Sequence, residues 1–302
     1  MVVGTTQGTR RTVTTIAVLG AQGMLGQDVL KVLGNYQPTA FRRQELNITD
    51  HAAVAEALTG FDVVINCAAY TRVDDAENSP DLARAVNAEG PRHIARALAQ
   101  TKGKLIHMST DYVFDGSATS PYDEDSATNP VSVYGASKQK GEIAVLEENE
   151  ENSAIVRTSW LYGEHGSSFP RTILTAGLTR ETLDVVGDQQ GQPTWTVDVA
   201  YQIKELIDAG IPGGVFHATN SGKTTWFDFA QTLFRLAGWD ESRIHRTTSA
   251  RFIRPASRPA FSVLGHSSWE THKLASPRQW EEALNEAWES FLHAIANPGE
   301  SS

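Results

Sequence analysis

Short apolar runs alternate with amphipathic stretches along the first half of this 302-residue chain. The apolar runs have the length of strands, which are predicted at 16–19, 39–41, 63–66, 105–109 and 153–157. Between them apolar residues recur at helical spacing, which predicts helices at 24–33, 51–58, 81–101 and 134–148. This β-α-β alternation predicts an α/β fold with a doubly wound parallel sheet of the Rossmann type.

Beyond the fifth predicted strand the elements become shorter and the loops longer. We expect residues 12–157 to form the Rossmann domain and residues 158–276 to form mainly a smaller α/β C-terminal lobe for the substrate. Parts of 185–210 and a last helix at 277–296 are expected to pack on the Rossmann domain. Residues 1–11 are rich in Gly and Thr, lack the apolar core of a signal peptide, and are expected to be a flexible extension.

Composition limits the classes of partner. The net charge of −10 argues against non-specific binding to nucleic acid or to an anionic membrane, although a few local arginines can still hold phosphates. No apolar run approaches the roughly 20 residues of a membrane span. Cys67 is the only cysteine, so no intramolecular disulfide can form, and a cytoplasmic location is expected.

A glycine-rich turn follows the first predicted strand. Gly20, Gly23 and Gly26 would let the backbone approach a pyrophosphate, and the next helix would offer its first amides to the phosphates. The spacing Gly-x-x-Gly-x-x-Gly is typical of short-chain reductases. The candidate cofactor-binding residues of this turn are Gly20, Gln22, Gly23, Met24 and Leu25.

The end of the second predicted strand carries Arg42 and Arg43 where an NAD-binding protein would place an acid. Two guanidinium groups favour binding of the 2′-phosphate of NADPH. The alternative is that the two arginines are a solvated basic pair, in which case NADH could be the cofactor. Asp50 or Asn47 is a candidate for contact with the adenine.

Further cofactor contacts are expected at the end of the third predicted strand. Cys67, Ala68, Ala69 and Tyr70 follow that strand, and the first three are small enough for a dinucleotide to lie across the sheet edge. Asn87, on the next helix, is a candidate cofactor contact or a structural amide.

The candidate catalytic pair is Tyr134 and Lys138, which are one helical turn apart and share a helix face. A lysine beside a tyrosine is expected to lower the pKa of the phenol, so that it can exchange a proton near neutral pH. Ser109 and Thr110 end the fourth predicted strand and could donate hydrogen bonds to a substrate oxygen. Asp111 is a candidate for substrate contact or for loop support.

These motifs resemble the extended short-chain dehydrogenase/reductases and, within them, the dTDP-4-dehydrorhamnose reductase family. The Tyr/Lys pair and the glycine turn are generic to the superfamily. Asn66–Glu77 and Asp188–Thr194 also match, and the much more specific blocks are Ser109–Phe114, Arg157–Trp160 and Arg254–Pro259.

The resemblance implies that Thr110, Tyr134 and Lys138 form a catalytic triad. NADPH would reduce C4 of a dTDP-4-keto-6-deoxy-L-sugar, with Tyr134 as proton donor and dTDP-L-rhamnose as product. Lys138 would also hold the nicotinamide ribose. The resemblance further implies that the sugar and the nucleotide diphosphate would be contacted by Trp160, Gln192, Thr194, Trp195 and Arg258.

Some members of this family form a dimer through carboxylates that bind magnesium. Asp28 could supply one carboxylate, but Val197 stands where another is expected. The resemblance therefore leaves a magnesium-linked dimer unsupported. No metal-binding residues are predicted, and the chain is expected to be a monomer or a weak homodimer.

Two other functions remain open. One is 4-keto reduction of another dTDP-deoxysugar, such as a dihydrostreptose precursor. The other is a non-catalytic NADP-binding subunit like the regulatory β subunit of methionine adenosyltransferase, against which the intact Thr110, Tyr134 and Lys138 argue. A dehydratase is disfavoured because Tyr112 follows Asp111 where that class places a glutamate.

Overall fold

A six-stranded parallel sheet is the centre of the computed structural model, which describes residues 14–210 and 213–297. The strands are β1 (Ile16–Leu19), β2 (Thr39–Phe41), β3 (Val63–Asn66), β4 (Lys104–Thr110), β5 (Ser153–Thr158), β6 (Leu161–Tyr162), β7 (Leu183–Val186), β8 (Gln190–Gly191), β9 (Thr194–Trp195), β10 (Gly214–His217), β11 (Thr224–Thr225) and β12 (Ile244–Thr247). The order across the sheet is β10-β5-β4-β3-β1-β2. The five strands predicted in the first half are confirmed, each to within one residue at either end.

The helices are α1 (Met24–Val32), α2 (His51–Ala57), α3 (Val73–Asn78), α4 (Pro80–Arg84), α5 (Gly90–Thr101), α6 (Val133–Asn149), α7 (Phe169–Gly177), α8 (Thr196–Asp208), α9 (Trp226–Leu236), α10 (Ser267–Thr271), α11 (Trp280–Ala287) and α12 (His293–Ala296). Helices α1 and α8 pack on one face of the sheet, and α2, α5 and α6 pack on the other. The predicted doubly wound α/β fold is thus confirmed. None of the described helices is long and apolar enough to cross a membrane.

The helix predicted at 81–101 is interrupted by a π-helical turn at Ala85–Glu89. Pro91 follows at the start of α5 and has no N–H for the carbonyl of Asn87, four residues earlier. That carbonyl lies so close to α6 that a Cβ at Gly141 would be 2.1 Å from it. The π-helical turn at Ala85–Glu89 is therefore in close backbone contact with α6.

A second hydrophobic core gathers residues from β7, β12, α7 and α9. The last helix belongs to this core, since Trp280, Leu284 and Phe291 pack there. Its apolar stripe meets aromatic side chains of α9, and its packing on the Rossmann domain remains a prediction. Helix α8, in contrast, packs against α1 and the main sheet. The limits of the two domains remain a prediction.

Candidate active site

The glycine-rich turn lies between the carboxyl ends of β2 and β3. The amides of Gly20 and Ala21 both donate to the carbonyl of Phe41, over 3.1 and 3.2 Å. Gly20 has φ +73°, and a Cβ there would lie 2.6 Å from the backbone nitrogen of Ala68. Only glycine fits this position. The turn occupies the point where the strand order reverses, which is where ligands bind in such sheets.

The start of α1 is suited to an anionic group. Gly23 is its N-cap, and none of its first-turn residues is acidic. The backbone amides of Met24 and Leu25 therefore lie at the positive end of the helix dipole, beside the solvent-facing turn. The side chain of Leu25 is buried in the core, so only its amide could contact a cofactor. Gln22 is exposed, and its carbonyl accepts a hydrogen bond from Gln27.

Arg42 and Arg43 follow β2 directly, one and two residues beyond the carbonyl that holds the glycine turn. Both are exposed, and within the described part of the chain neither guanidinium forms an ion pair. They are therefore placed to receive a phosphate beside the turn. Asn47 is less available, because its side-chain oxygen accepts hydrogen bonds from the amide and hydroxyl of Thr49. This oxygen is therefore already engaged and is not available for the predicted contact with the adenine.

Residues 67–70 are half-buried at the end of β3, next to the glycine turn. Asn87 holds this segment: its side chain accepts from the Tyr70 amide (2.7 Å) and donates to the Tyr70 carbonyl (3.0 Å) and to Ser137 (2.9 Å). These bonds give Asn87 a structural role, and its contact with a cofactor remains a prediction. A sequence cannot reveal these partners because they lie 17 and 50 residues away.

Tyr134 lies in the first turn of α6, which Ser132 caps through the Gly135 amide. The side chain is buried, and burial raises the pKa of the Tyr134 phenol to about 12, opposed by a hydrogen bond with Thr110. The predicted lowering of this pKa is therefore wrong for the protein without bound ligand, because loss of solvent disfavours the phenolate. Thr110 and Tyr134 nevertheless meet at the carboxyl end of β4.

Lys138 is buried one turn further along α6, and its ammonium donates to the Met108 carbonyl over 2.7 Å. Burial lowers the pKa of Lys138 to about 8, while the carboxylate of Glu142 acts in the opposite direction. At neutral pH the side chain keeps its charge. Cys67 lies in the field of this ammonium, but burial dominates and raises the pKa of its thiol to about 12.

Ser109 is buried near the end of β4. Its buried hydroxyl donates to Glu142, which also forms a bidentate ion pair with Arg157. Successive residues of a strand point to opposite faces, so Ser109 points toward α6. The Ser109 hydroxyl is therefore occupied by Glu142, and its contact with the substrate remains a prediction. Glu142 follows Lys138 at helical spacing, which is the signal in the sequence that could have revealed it.

Asp111 is buried beside the triad, where its carboxylate accepts from the Thr110 hydroxyl over 3.0 Å. Burial raises the pKa of Asp111 to about 6, and hydrogen bonds with Ser262 and Thr110 limit the rise. The carboxyl thus supports the loop and adjoins the candidate catalytic hydroxyl. Both alternatives raised from the sequence are compatible with this position.

Tyr112 is a site residue that the motifs alone did not indicate. Its ring packs edge-to-face on Tyr134, with centroids 5.6 Å apart, and it is hydrogen-bonded to Arg258. Arg258 in turn forms two 2.9 Å hydrogen bonds with Asp74 of α3. The predicted substrate arginine therefore lies at the site, with part of its donor fork already occupied.

The other predicted substrate contacts separate into two groups. Trp160 follows β5 at the same sheet edge as Thr110 and is half-buried. Gln192 is buried and exchanges two hydrogen bonds with the backbone of Leu264. Thr194 and Trp195 are also buried, and both bond to Asn220. These last three residues hold loops together through buried hydrogen bonds, and their contact with a ligand remains a prediction.

The candidate metal ligand Asp28 is buried and accepts a 2.6 Å hydrogen bond from Thr196. Val197 packs against the second core. Within residues 14–210 and 213–297 there is no group of three or more His, Cys, Asp or Glu side chains that could hold a metal ion.

The fold and the site together define an oxidoreductase of the extended short-chain dehydrogenase/reductase class. The model of the RmlD substrate binding domain family matches residues 14–293, and the chain belongs to this family. The resemblance deduced from the motifs is thus confirmed.

Named relatives span nearly the whole chain. The chain is 45% identical over 289 residues to a dTDP-4-dehydrorhamnose reductase of Streptomyces griseus, covering 93% of this chain and 95% of the relative. It is 44% identical over 275 residues to a dTDP-4-keto-6-deoxy-D-glucose reductase of Streptomyces niveus, covering 90% and 95%. A crystal structure of dTDP-4-dehydrorhamnose reductase from Bacillus anthracis in complex with NADP has a TM-score of 0.88 at 35% identity, covering 92% of this chain and 99% of that one.

Proposed function

We propose that this protein reduces the C4 keto group of dTDP-4-dehydro-L-rhamnose to dTDP-L-rhamnose, using NADPH and Tyr134 as proton donor. The observation that carries the proposal is the meeting of Thr110 and Tyr134 at the carboxyl end of β4, with Lys138 buried one turn along α6. This group lies at the sheet edge that also carries the Gly20 turn.

The cofactor fits the residues present. The close approach of Gly20 to Ala68 leaves the start of α1 open to a pyrophosphate, and Arg42 and Arg43 are free to pair with a 2′-phosphate. The NADP complex of the B. anthracis relative supports this cofactor. NADPH, when bound, supplies the hydride. Gly20, Gln22, Gly23 and the amides of Met24 and Leu25 would hold its phosphates, and residues 67–70 would line its path.

The protein supplies the proton. With a pKa of about 12, Tyr134 stays protonated at neutral pH and can donate its proton to the oxygen at C4 as negative charge develops there. Thr110 would turn its hydroxyl from Asp111 to donate a second hydrogen bond to the same oxygen. Lys138, charged at neutral pH, stabilises the phenolate left behind and holds the nicotinamide ribose.

The sugar and the diphosphate would be bound by Trp160, Asp111 and Arg258. Arg258 already donates to Asp74, Ala256 and Tyr112, so it would reach phosphate oxygens through its remaining guanidinium hydrogen. The substrate class is supported by the S. griseus relative, which is named for the rhamnose precursor.

A second candidate is reduction of a different dTDP-4-keto sugar. The S. niveus relative is named for dTDP-4-keto-6-deoxy-D-glucose and is nearly as similar to this chain as the S. griseus one. Discrimination between such sugars depends on hydroxyl contacts, so both compounds have to be offered to the enzyme.

The test is loss of NADPH absorbance with enzymatically prepared dTDP-4-dehydro-L-rhamnose and with dTDP-4-keto-6-deoxy-D-glucose. We expect rapid oxidation with the rhamnose precursor and a loss of about 100-fold or more in kcat for Tyr134→Phe. Tyr201→Phe is the matched control, because Tyr201 is an exposed residue of α8. Faster turnover of the glucose derivative would favour the second candidate. NADPH binding without any turnover would favour a non-catalytic binding protein.

A further inference from the structure

Trp160 leaves β5 in an unusual backbone conformation. Its φ of +45° is in the left-handed region, which side-chain-bearing residues rarely adopt. Such a conformation persists where the surrounding structure enforces it, and it often marks a functional site. Here the backbone is held by the Thr194 amide, which donates to the Trp160 carbonyl over 3.3 Å.

The indole of Trp160 is held between two neighbours. Trp226 stacks on it with ring centroids 3.4 Å apart and an angle of 11° between the planes. Gly191 approaches it so closely that a Cβ there would lie 2.5 Å from the indole ring. The side-chain orientation of Trp160 therefore depends on Trp226 and on the absence of a side chain at position 191.

Trp226 is itself fixed in place. It begins α9, whose cap is Thr225, and its indole nitrogen donates to Gln189 over 3.1 Å. Gln189 is in turn tied to Ser249 over 2.9 Å, and Phe169 packs against Trp226 with centroids 4.5 Å apart. The indole of Trp226, on which the strained Trp160 stacks, therefore has little freedom to move.

The pair is less buried than Trp195, Trp280 and Trp288 of the second core. Trp280 and Trp288 are 5% and 8% exposed, whereas Trp160 and Trp226 are both half-buried and reach the surface. Trp160 lies two residues beyond Thr158, which pairs with Thr110 across β4 and β5. The Trp160–Trp226 stack therefore lies at the same edge of the sheet as the candidate triad.

We propose that Trp226 is a positioning residue that holds the indole of Trp160 as a wall of the sugar site. The proposal rests on the proposed function, because it takes the ligand to be a dTDP-linked hexose. The strained backbone does not by itself favour the present orientation of Trp160. Without the Trp226 ring, the indole of Trp160 is therefore free to turn away. Sugar binding then weakens, while the cofactor side of the sheet is unaffected.

The stack can be observed directly by circular dichroism, since two closely stacked indoles give an exciton couplet in the far ultraviolet. We expect Trp160→Phe and Trp226→Phe each to abolish the couplet. Trp239→Phe should retain it, because Trp239 contacts Phe234 at the other end of α9 and serves as the matched control. A couplet that survives Trp226→Phe would overturn the proposal.

The functional readout is the division between KM and kcat. Trp226→Ala should raise KM for the keto sugar about five- to tenfold, with kcat and the KM for NADPH within about twofold of wild type. Trp226→Phe should recover most of the loss. If the alanine variant does not fold, Trp226→Leu, which also lacks an aromatic ring, carries the test with the same expected rise in KM. A KM equal to that of Trp239→Phe, or an equal rise for NADPH, would overturn the proposal.

Calorimetry with dTDP-L-rhamnose separates this proposal from the proposed reduction. If wild type binds the nucleotide sugar but reduces no keto sugar, the proposed function fails, and weaker binding by Trp226→Ala still supports the positioning role. If wild type does not bind it, both proposals are overturned.

Discussion

Glu142 and Arg157 form a buried ion pair directly behind the candidate catalytic lysine. The two hydrogen bonds measure 2.9 Å (Nε–Oε1) and 2.8 Å (Nη2–Oε2), and both side chains are almost entirely shielded from water. The same carboxylate receives the Ser109 hydroxyl. The pair therefore joins α6 to β4 and β5 and places a fixed negative charge one turn from Lys138.

Breaking this pair on one side should be strongly destabilising. Arg157→Met leaves the Glu142 carboxylate buried without its cation, and we expect a loss of about 3–5 kcal/mol in the free energy of unfolding. Denaturant unfolding measures it. The control is Arg235→Met, which removes an exposed pair with Glu241 and should cost less than about 1 kcal/mol. Equal losses would show that the buried pair adds no special stability.

The reductase activity should fall as the pH rises through about 8, because Lys138 then loses its proton while Tyr134 keeps its own. The measurement is kcat/KM for the keto sugar between pH 6 and about 10. Lys138→Arg, although slower, should show no such fall, since a guanidinium keeps its charge in this range. A fall of the same shape in the arginine variant would assign the titration to another group.

Asp111→Asn should stabilise the protein at neutral pH. The folded-state pKa of about 6 lies above the ordinary value of 3.8, so the folded protein binds the proton more tightly, and stability is lost as the pH rises from about 4 to 6. Removing the charge should raise the free energy of unfolding by about 1–3 kcal/mol at pH 7.5. The gain at pH 5 should be about 1 kcal/mol smaller. Unfolding at the two pH values measures the difference. A pH-independent gain would contradict a titrating Asp111.

Arg42 and Arg43 should decide between the two dinucleotides. Replacing both with alanine should raise KM for NADPH about tenfold or more and leave KM for NADH nearly unchanged, because only NADPH carries the 2′-phosphate. Initial rates with each cofactor measure the ratio. Arg84→Ala is the control, since Arg84 is an exposed arginine of α4. An unchanged NADPH constant would remove both arginines from the site.

The sheet and the glycine turn could be predicted from the sequence because their signals are local. β1 to β5 are short apolar runs, and the left-handed turn at Gly20 needs a residue without a side chain. The Tyr134–Lys138 spacing likewise reports a shared helix face. What the spacing could not report is the burial of that face, which raises the pKa of the tyrosine instead of lowering it.

What the sequence could not reveal are the roles of residues whose partners are distant along the chain. Gln192 resembles a ligand contact in the sequence, but its amide is used by Leu264, 72 residues away. Ser109 finds Glu142 on another element, and Asn87 finds Tyr70 and Ser137. The last helix carries the expected apolar stripe, but a stripe specifies a buried face without specifying the neighbour. Polar side chains at a sheet edge can serve either a ligand or a loop.

The contact between Gly141 and the Asn87 carbonyl has a consequence for tolerance to substitution. Any side chain at position 141 would push α6 away from the connection that carries Asn87, and would move Lys138 with it. A library of single variants should therefore contain almost no active member altered at position 141, although this residue touches neither cofactor nor sugar. Divergence toward new sugars is then confined to the loops that follow the strands, where side chains can change without moving the helix.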